Sequence, residues 1–419
     1  MTNLTSKEEI VAFDQMLEGF QDATLMTKAV SVYNTNQIMM ERTSDVIWRP
    51  QPYIATSYDG MDQTANFNNY TQLSVPSTIG YKRSVPFTFD ALELRDQLQS
   101  QRLGDSAKQK LASDINTAVL NVASQGTLVI KRTAAASGFD DVALCEAILN
   151  EQGVMFDDRH LALSTRDYNS MASNLAARQT LTGKPLTAYD KAYVGEIASF
   201  TTLKLDYANR LTAAGGGSIT ISTLSSANNY WIPQATSVAT TGERSNVDNR
   251  YQTVAVSATA NVKAGDYFTI AGVNAVHHIT KNDTGQLKTF RVHSVINGTT
   301  MVISPPMISN QGGTQAEASY QNVVVSPSAT AAVVWMNTAD AALNIFWHKD
   351  AIEILPGRYA LESGGGFEVM RATTDAGIEL VMTKSKDINT LKTFYRFDTV
   401  FGVVNKQPEM SGILLFSQI

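Results

Sequence analysis

The residues of this sequence with the most versatile chemistry are few and poorly placed to act together. Five histidines occur: His160, His277, His278, His293 and His348. His277 and His278 are adjacent, so on a strand they would point to opposite faces, which opposes chelation of one ion. No HExxH pair and no Cys/His cluster accompanies them, and no metal is expected. The one cysteine, Cys145, lies in an apolar helical run with Val142, Ala143, Ile148 and Leu149. It reads as a packed small hydrophobe rather than a nucleophile. The glycine runs Gly215–Gly217 and Gly364–Gly366 suggest phosphate-cradling loops. A strand pattern follows the first, with no Lys-Ser or Lys-Thr pair, and the second leads into Phe367, Val369 and Met370 without the GxxxxGK spacing. Both read as hinges or turns. The carboxylate pairs Asp140–Asp141 and Asp157–Asp158 fit helix starts and turns, with no convergent base or metal. No catalytic residue, cofactor or metal site is expected, and the chain does not read as an enzyme.

One charged cluster remains. Between Thr240 and Arg250 stand Gly242, Glu243, Arg244, Asn246, Asp248, Asn249 and Arg250, flanked by strand patterns in an otherwise sparsely charged module. Such a loop is either a solvated hairpin tip or a charged contact surface.

The elements that would carry these residues follow from periodicity. Ser6 with Glu9 fits a capping box, and Ile10, Phe13, Leu17 and Phe20 then recur at helical spacing. From Asp45 to Phe89 the pattern is extended, with Pro50 and Pro52 opposing helix. The polar stretch from Tyr53 to Tyr81 is too long for an ordinary connection and predicts a protruding two-stranded arm. Asp90 with Glu93 caps a helix. After Gly104 a longer helical run places Leu111, Ile115, Ala118 and Val122 on one face, closed by Gly126. Strands are predicted at Leu128–Ile130 and Leu161–Leu163, and helices at Asp140–Asn150, Ser164–Gln179 and Ala339–Phe346. Beyond Gly217 the period changes to two: Val254 and Val256, Phe268 and Ile270, Phe290 and Val292, Met301 and Ile303. Asn297-Gly298 supplies a hairpin signal. The whole reads as an α+β protein interrupted by an all-β module.

Composition sets limits. The chain has 419 residues, 17% of them charged, with a net charge of -6. The length calls for more than one core. The acidic balance opposes sequence-independent nucleic-acid binding by bulk charge, though it leaves room for a local basic face. The single cysteine excludes an intrachain disulfide. The polar, acidic start predicts no secretory leader, and no apolar stretch is long enough to span a bilayer.

Particular residues then resemble a family. Ile47-Trp48 with Pro50, Leu94-Arg95-Asp96, Lys110-Leu111-Ala112 and Gly126 to Ile130 are similar to the coat proteins of P22-like short-tailed bacteriophages. So are Asn246 to Tyr251, Thr253 to Thr259, Gly265-Asp266 to Val273, Asn344 to Trp347, Asp350 to Ile352, Asp387 to Leu391, Arg396, Gly402-Val403 and Pro408-Glu409. The resemblance implies the tailed-phage major capsid fold (HK97-like) with an inserted immunoglobulin-like domain at 218–326. Residues 1–34 would be an N-terminal arm, and 35–217 with 327–419 the capsid core. That core would include an extended loop at about 50–87 lying over a neighbour and a spine helix at about 90–125. Implied, too, are self-assembly as hexamers and pentamers into an icosahedral virion shell, in the host cytoplasm, and the absence of cofactors. The implied partners are a scaffolding protein, a portal protein at one vertex and packaged DNA on the inner face without sequence specificity, with no membrane. Glu243, Arg244, Asp248 and Arg250 would meet the neighbouring capsomer, and Ile10, Phe13, Leu17 and Phe20 would form a contact face of the arm. The competing reading is an adhesin or carbohydrate-binding protein that uses the β-module as its head.

Overall fold

The computed structural model describes residues 13, 17, 19–20, 23–33, 46–52, 55, 57–67, 70–90, 97–177, 194–222, 230–359, 361 and 367–419. The Ser6–Glu9 cap, Ile10, Glu93 and the Gly364–Gly366 turn lie outside them. The chain divides into two compact units.

The first unit takes residues 1–47, 77–122 and 352–404. Its sheet is organised by the long strand Lys392–Asn405. Glu379–Asp387, backed by Phe367–Thr373, pairs with it on one side and Tyr81–Phe89 on the other. Ile352–Pro356 completes the sheet and carries Ser31–Val32 in parallel. Aromatic side chains face one another across the ladder: Phe87 stacks on Tyr395 at 5.6 Å and Tyr81 on Phe401 at 5.2 Å. Such pairs each contribute about 0.5–1.5 kcal/mol beyond their burial. They also explain why Tyr81–Phe87, expected within the extended loop, belongs to a sheet instead.

The helix Gln97–Ala123 buries the predicted face of Leu111, Ile115, Ala118 and Val122, together with Ala107, Ala112 and Val119. It runs through Gly104 without interruption, whereas the sequence suggested a break there. One glycine costs a helix about 1 kcal/mol, which the buried face easily exceeds.

The second unit takes residues 48–76, 123–351 and 405–419. Its main sheet has the order Leu128–Lys131, Ser411–Leu415, Asn344–His348, Arg159–Ser164, Phe200–Leu205, Glu196–Ile197. The helices Phe139–Glu151 and Thr165–Ala176 cover it, burying Val142, Cys145, Leu149, Tyr168 and Met171 against Leu161, Leu163, Phe200 and Phe346. The helix expected at Ala339–Phe346 is not formed. Ala341–Ala342 and Asn344–His348 are strands, the latter paired on both sides and wholly buried. A short apolar run cannot by its period distinguish a buried helix from a central strand. The feet of the expected arm do pair, Val46–Pro50 with Ser74–Thr78.

The inserted module is all-β. Its sheet runs Ile219–Thr220, Ala332–Trp335, Tyr267–Val276, Asp283–Asn297, Thr300–Ser304, Gln252–Ala255. An immunoglobulin-like sandwich has two facing sheets. Here the first and last strands meet through the Ile221–Val256 bridge and the bonds Ser222 N to Ala255 O and Ser257 N to Thr220 O, so one six-stranded sheet closes on itself. The residues alternating in the sequence fill its interior: Val254, Val256, Phe268, Ile270, Phe290, Val292, Met301 and Ile303 are all buried. The Ala332–Trp335 strand lies beyond the expected limit at residue 326. The low-complexity stretch before it hid the return of the chain to the sheet.

Candidate assembly hairpin and the base of the insertion

The charged loop is a β-hairpin. Thr236–Val238 pairs with Arg244–Asn246, and the turn is closed by Ala239 N to Glu243 O at 2.9 Å and Gly242 N to Ala239 O at 2.8 Å. Gly242 has φ +84°, which an L side chain adopts only with strain. Glu243, Arg244 and Val238 are exposed.

Below this tip the hairpin is locked. Asn249 is buried and uses its whole amide: Nδ2 donates to Gln234 O and Val247 O, and Oδ1 accepts from Trp231 Nε1 and Gln234 N. Asp248 and Arg250 form a bidentate pair, Nε to Oδ1 at 2.9 Å and Nη2 to Oδ2 at 2.7 Å. Arg250 also donates through Nη1 to Asn405 O and lies over the Tyr251 ring. The four charges named from the sequence therefore separate into two kinds. Glu243 and Arg244 are exposed at the tip, and Asp248 with Arg250 fixes the hairpin's foot within the chain.

A buried polar cluster holds the insertion to the rest of its unit. Asn337 Nδ2 donates to Asp266 Oδ1 and Thr212 O, and its Oδ1 accepts from Tyr267 N. Burial raises the Asp266 carboxyl. Tyr267 Oη donates to the Ser124 and Gly126 carbonyls, and Thr289 Oγ1 to the Thr127 carbonyl. Lys288, almost fully buried, reaches Glu409 Oε1 at 2.5 Å and Gln152 Oε1 at 3.0 Å. Burial works against the Glu409 charge, yet the attraction of Lys288 and the hydrogen bonds from Lys288 and Asn322 keep its carboxyl low. None of these partners was legible from the sequence. A buried Asn or Lys carries no local mark until its distant partner is known.

The arm face behaves differently from the hairpin. Phe13 and Phe20 are buried within the first unit, and Leu17 is half-buried. Asn116, on the long helix, clasps this segment: its Nδ2 donates to Ala23 O at 3.0 Å and its Oδ1 accepts from Met26 N at 3.3 Å.

The candidate chemical residues take structural places. Cys145 is buried, and burial with the nearby Asp141 carboxylate pushes its thiol far up. Asp141 caps its helix by accepting from Ser137 N, Gly138 N and Arg132 Nε. His277 and His278 follow a strand rather than lying in one, and His277 Nδ1 accepts from Ile279 N and Thr280 N. Gly216 lies so close to the Trp335 ring that a Cβ would come within 2.5 Å of it, which accounts for that glycine run as a tight entry to the insertion. Among the described residues no group of three or more His, Cys, Asp or Glu could hold a metal ion. Among them, too, no helix is long and apolar enough to cross a membrane.

A family model described as P22 coat protein, gene protein 5, matches residues 1–417. The chain belongs to the P22 coat protein family. This coat protein is a structural protein that associates with copies of itself to form a phage capsid shell, and as such is part of the virion. Its family is not one of enzymes, and family membership gives the adhesin reading no support. Solved structures similar to it include that of Mycobacterium phage Che8, with 8% identity over 93% of this chain and 90% of that one, at a TM-score of 0.45. The capsid of Cyanophage P-SCSP1u shares 10% identity over 94% of this chain and 89% of that one, at a TM-score of 0.46. The CUS-3 coat protein I-domain shares 36% identity over 29% of this chain and 98% of that one, at a TM-score of 0.22.

Proposed function

We propose that the coat protein assembles as hexamers and pentamers into an icosahedral shell in the host cytoplasm. A scaffolding protein guides it, a portal protein takes one vertex, and packaged DNA lies on the inner face without sequence specificity. Residues 1–34 serve as the arm, 35–217 and 327–419 as the capsid core, and 218–326 with the strand after it as the insertion. The observation that carries this reading is the hairpin: a rigid foot made by Asn249 and the Asp248–Arg250 pair presents Glu243 and Arg244 to solvent on a turn whose positive φ glycine adopts without strain. A merely solvated loop has no need of such a foot. On this reading Glu243 and Arg244 meet the neighbouring capsomer while Asp248 and Arg250 hold them in place. The exposed Met61 and Phe67 of the extended loop, with the half-buried Leu17 of the arm, face adjoining copies.

Exposed ion pairs contribute only about 0.2–1 kcal/mol each, so the hairpin sets orientation, and shell symmetry multiplies the effect. The test is a charge reversal at the tip, Glu243→Arg with Arg244→Glu, co-expressed with the scaffolding protein and viewed by negative stain. The subunit should fold normally. Particles should be tubes, aberrant shells or free capsomers, more so at high salt. Normal particles at every salt concentration would reduce the hairpin to solvated surface.

A further inference from the structure

The strand Tyr267–Val276 ends in a turn that carries His278 inward. Its Nε2 faces Glu409 Oε2 at 3.7 Å, too far for a hydrogen bond, and is buried with no hydrogen-bond partner among the described residues. Glu409 is already engaged, since Lys288 Nζ and Asn322 Nδ2 both bind its Oε1, at 2.5 Å and 3.1 Å. Lys281 lies in the same turn and donates to the Ser319 and Gln321 carbonyls. The charged and titratable groups facing His278 are thus Glu409, Lys288 and Lys281, with His277 beside it. The one carboxylate is already paired with Lys288 and lies within the field of Lys281. A proton on His278 would set three cations against it in a site largely closed to water, where repulsion is poorly screened. A cavity of about 740 Å³ is bordered by Gln152, His278, Ile279, Asn322 and Glu409.

We propose that His278, Glu409 and Lys288 form an acid-sensitive latch, which holds the insertion to the C-terminal segment of its unit near neutral pH and weakens when His278 gains a proton. Burial, against the pull of Glu409, lowers His278 from 6.5 to about 4. The unfolded chain therefore binds the extra proton first. The latch's contribution is complete above about pH 6.5 and is lost as the pH falls toward about 4.

The test is hydrogen exchange of the full-length subunit at about pH 7.5 and about pH 5, corrected for intrinsic rates, with His278→Gln alongside. In the wild type, opening of the segments around 277–288, 320–323 and 406–411 should rise about tenfold on acidification, the equivalent of one pKa unit. The barrel strands around Phe290 and Met301 should not follow. His278→Gln should abolish most of the rise. Because His160, His293 and His348 are also lowered by burial, general acid weakening is not diagnostic, and the location and the variant decide. Should His278→Gln fail to fold, Lys281→Met provides the second reading. Removing one opposing cation makes His278 easier to protonate in the folded state and should shrink the response. An unchanged acid response in the variant that folds, or no local rise in the wild type, overturns the latch.

Discussion

At the scale of single residues, side chains of reactive type serve the fold, as the sequence suggested for Cys145 and the Asp pairs. Asp141 is the clearest case. As one half of an Asp-Asp pair it looked like an ordinary helix start, yet its buried carboxylate accepts from three separate donor residues. Replacing it by Ala should cost about 2–3 kcal/mol, because a buried, charged acceptor of several hydrogen bonds is lost, and a shift of the urea midpoint at unchanged slope would measure this. Asp140→Ala, at an exposed neighbour, should change the midpoint little. Cys145 was read correctly as a packed residue. Its buried, protonated thiol should resist alkylation in the native subunit and react only on unfolding. A thiol labelled under native conditions would contradict the structure. Asp248 and Arg250 were found by type and spacing but not by role, since a pair two residues apart on a hairpin foot looks the same in sequence as two free charges.

At the scale of elements, what repeats locally was legible and what depends on a distant partner was not. The helix Gln97–Ala123 and the barrel strands follow their periods, and their predicted inward residues are buried. Asn344–His348 was mistaken because its apolar run is satisfied only by two remote strands. The arm shows the same limit. Its apolar stripe was visible, but the surface under Phe13 and Phe20 is the chain's own, and Asn116 fastens it there. Asn116→Ala should cost about 1–3 kcal/mol by freeing two backbone groups. Deleting residues 1–34 should do more, since it removes Phe13, Phe20 and the Ser31–Val32 strand. The truncated subunit should be less soluble and melt lower than wild type. Normal solubility and melting would mean that the whole arm face serves neighbours instead. For the insertion, a fragment covering 213–338 should fold alone with dispersed amide signals and a cooperative transition, because among the described residues its core is drawn from 219–335. A fragment stopped at 326 lacks Ala332–Trp335, which pairs on both sides, and should remain unfolded.

For the molecule as a whole, the two ends of the insertion are the feature with the widest reach. Ala214 N donates to Asn337 O at 2.8 Å, and Asn337 Nδ2 donates to Thr212 O at 3.0 Å. The chain leaves the parent unit and re-enters it at nearly the same point. That arrangement bears on the order of folding. Before the insertion is ordered, the sheet that joins Arg159–Ser164 to Asn344–His348 has to close a loop containing more than a hundred flexible residues. Once the barrel has formed, its stitched ends take the insertion out of that span and leave only residues 165–213 and 338–343 to be closed. Loop closure scales with the logarithm of length, so the difference is about 1 kcal/mol of entropy removed from the later step. The barrel should therefore acquire protection first. In pulsed exchange during refolding, amides around Phe268 and Phe290 should be guarded before those of Leu161 and Phe346. Severing the stitch with Asn337→Ala should slow the second phase while leaving the first alone, and equal slowing of both phases would deny the ends any part in the timing.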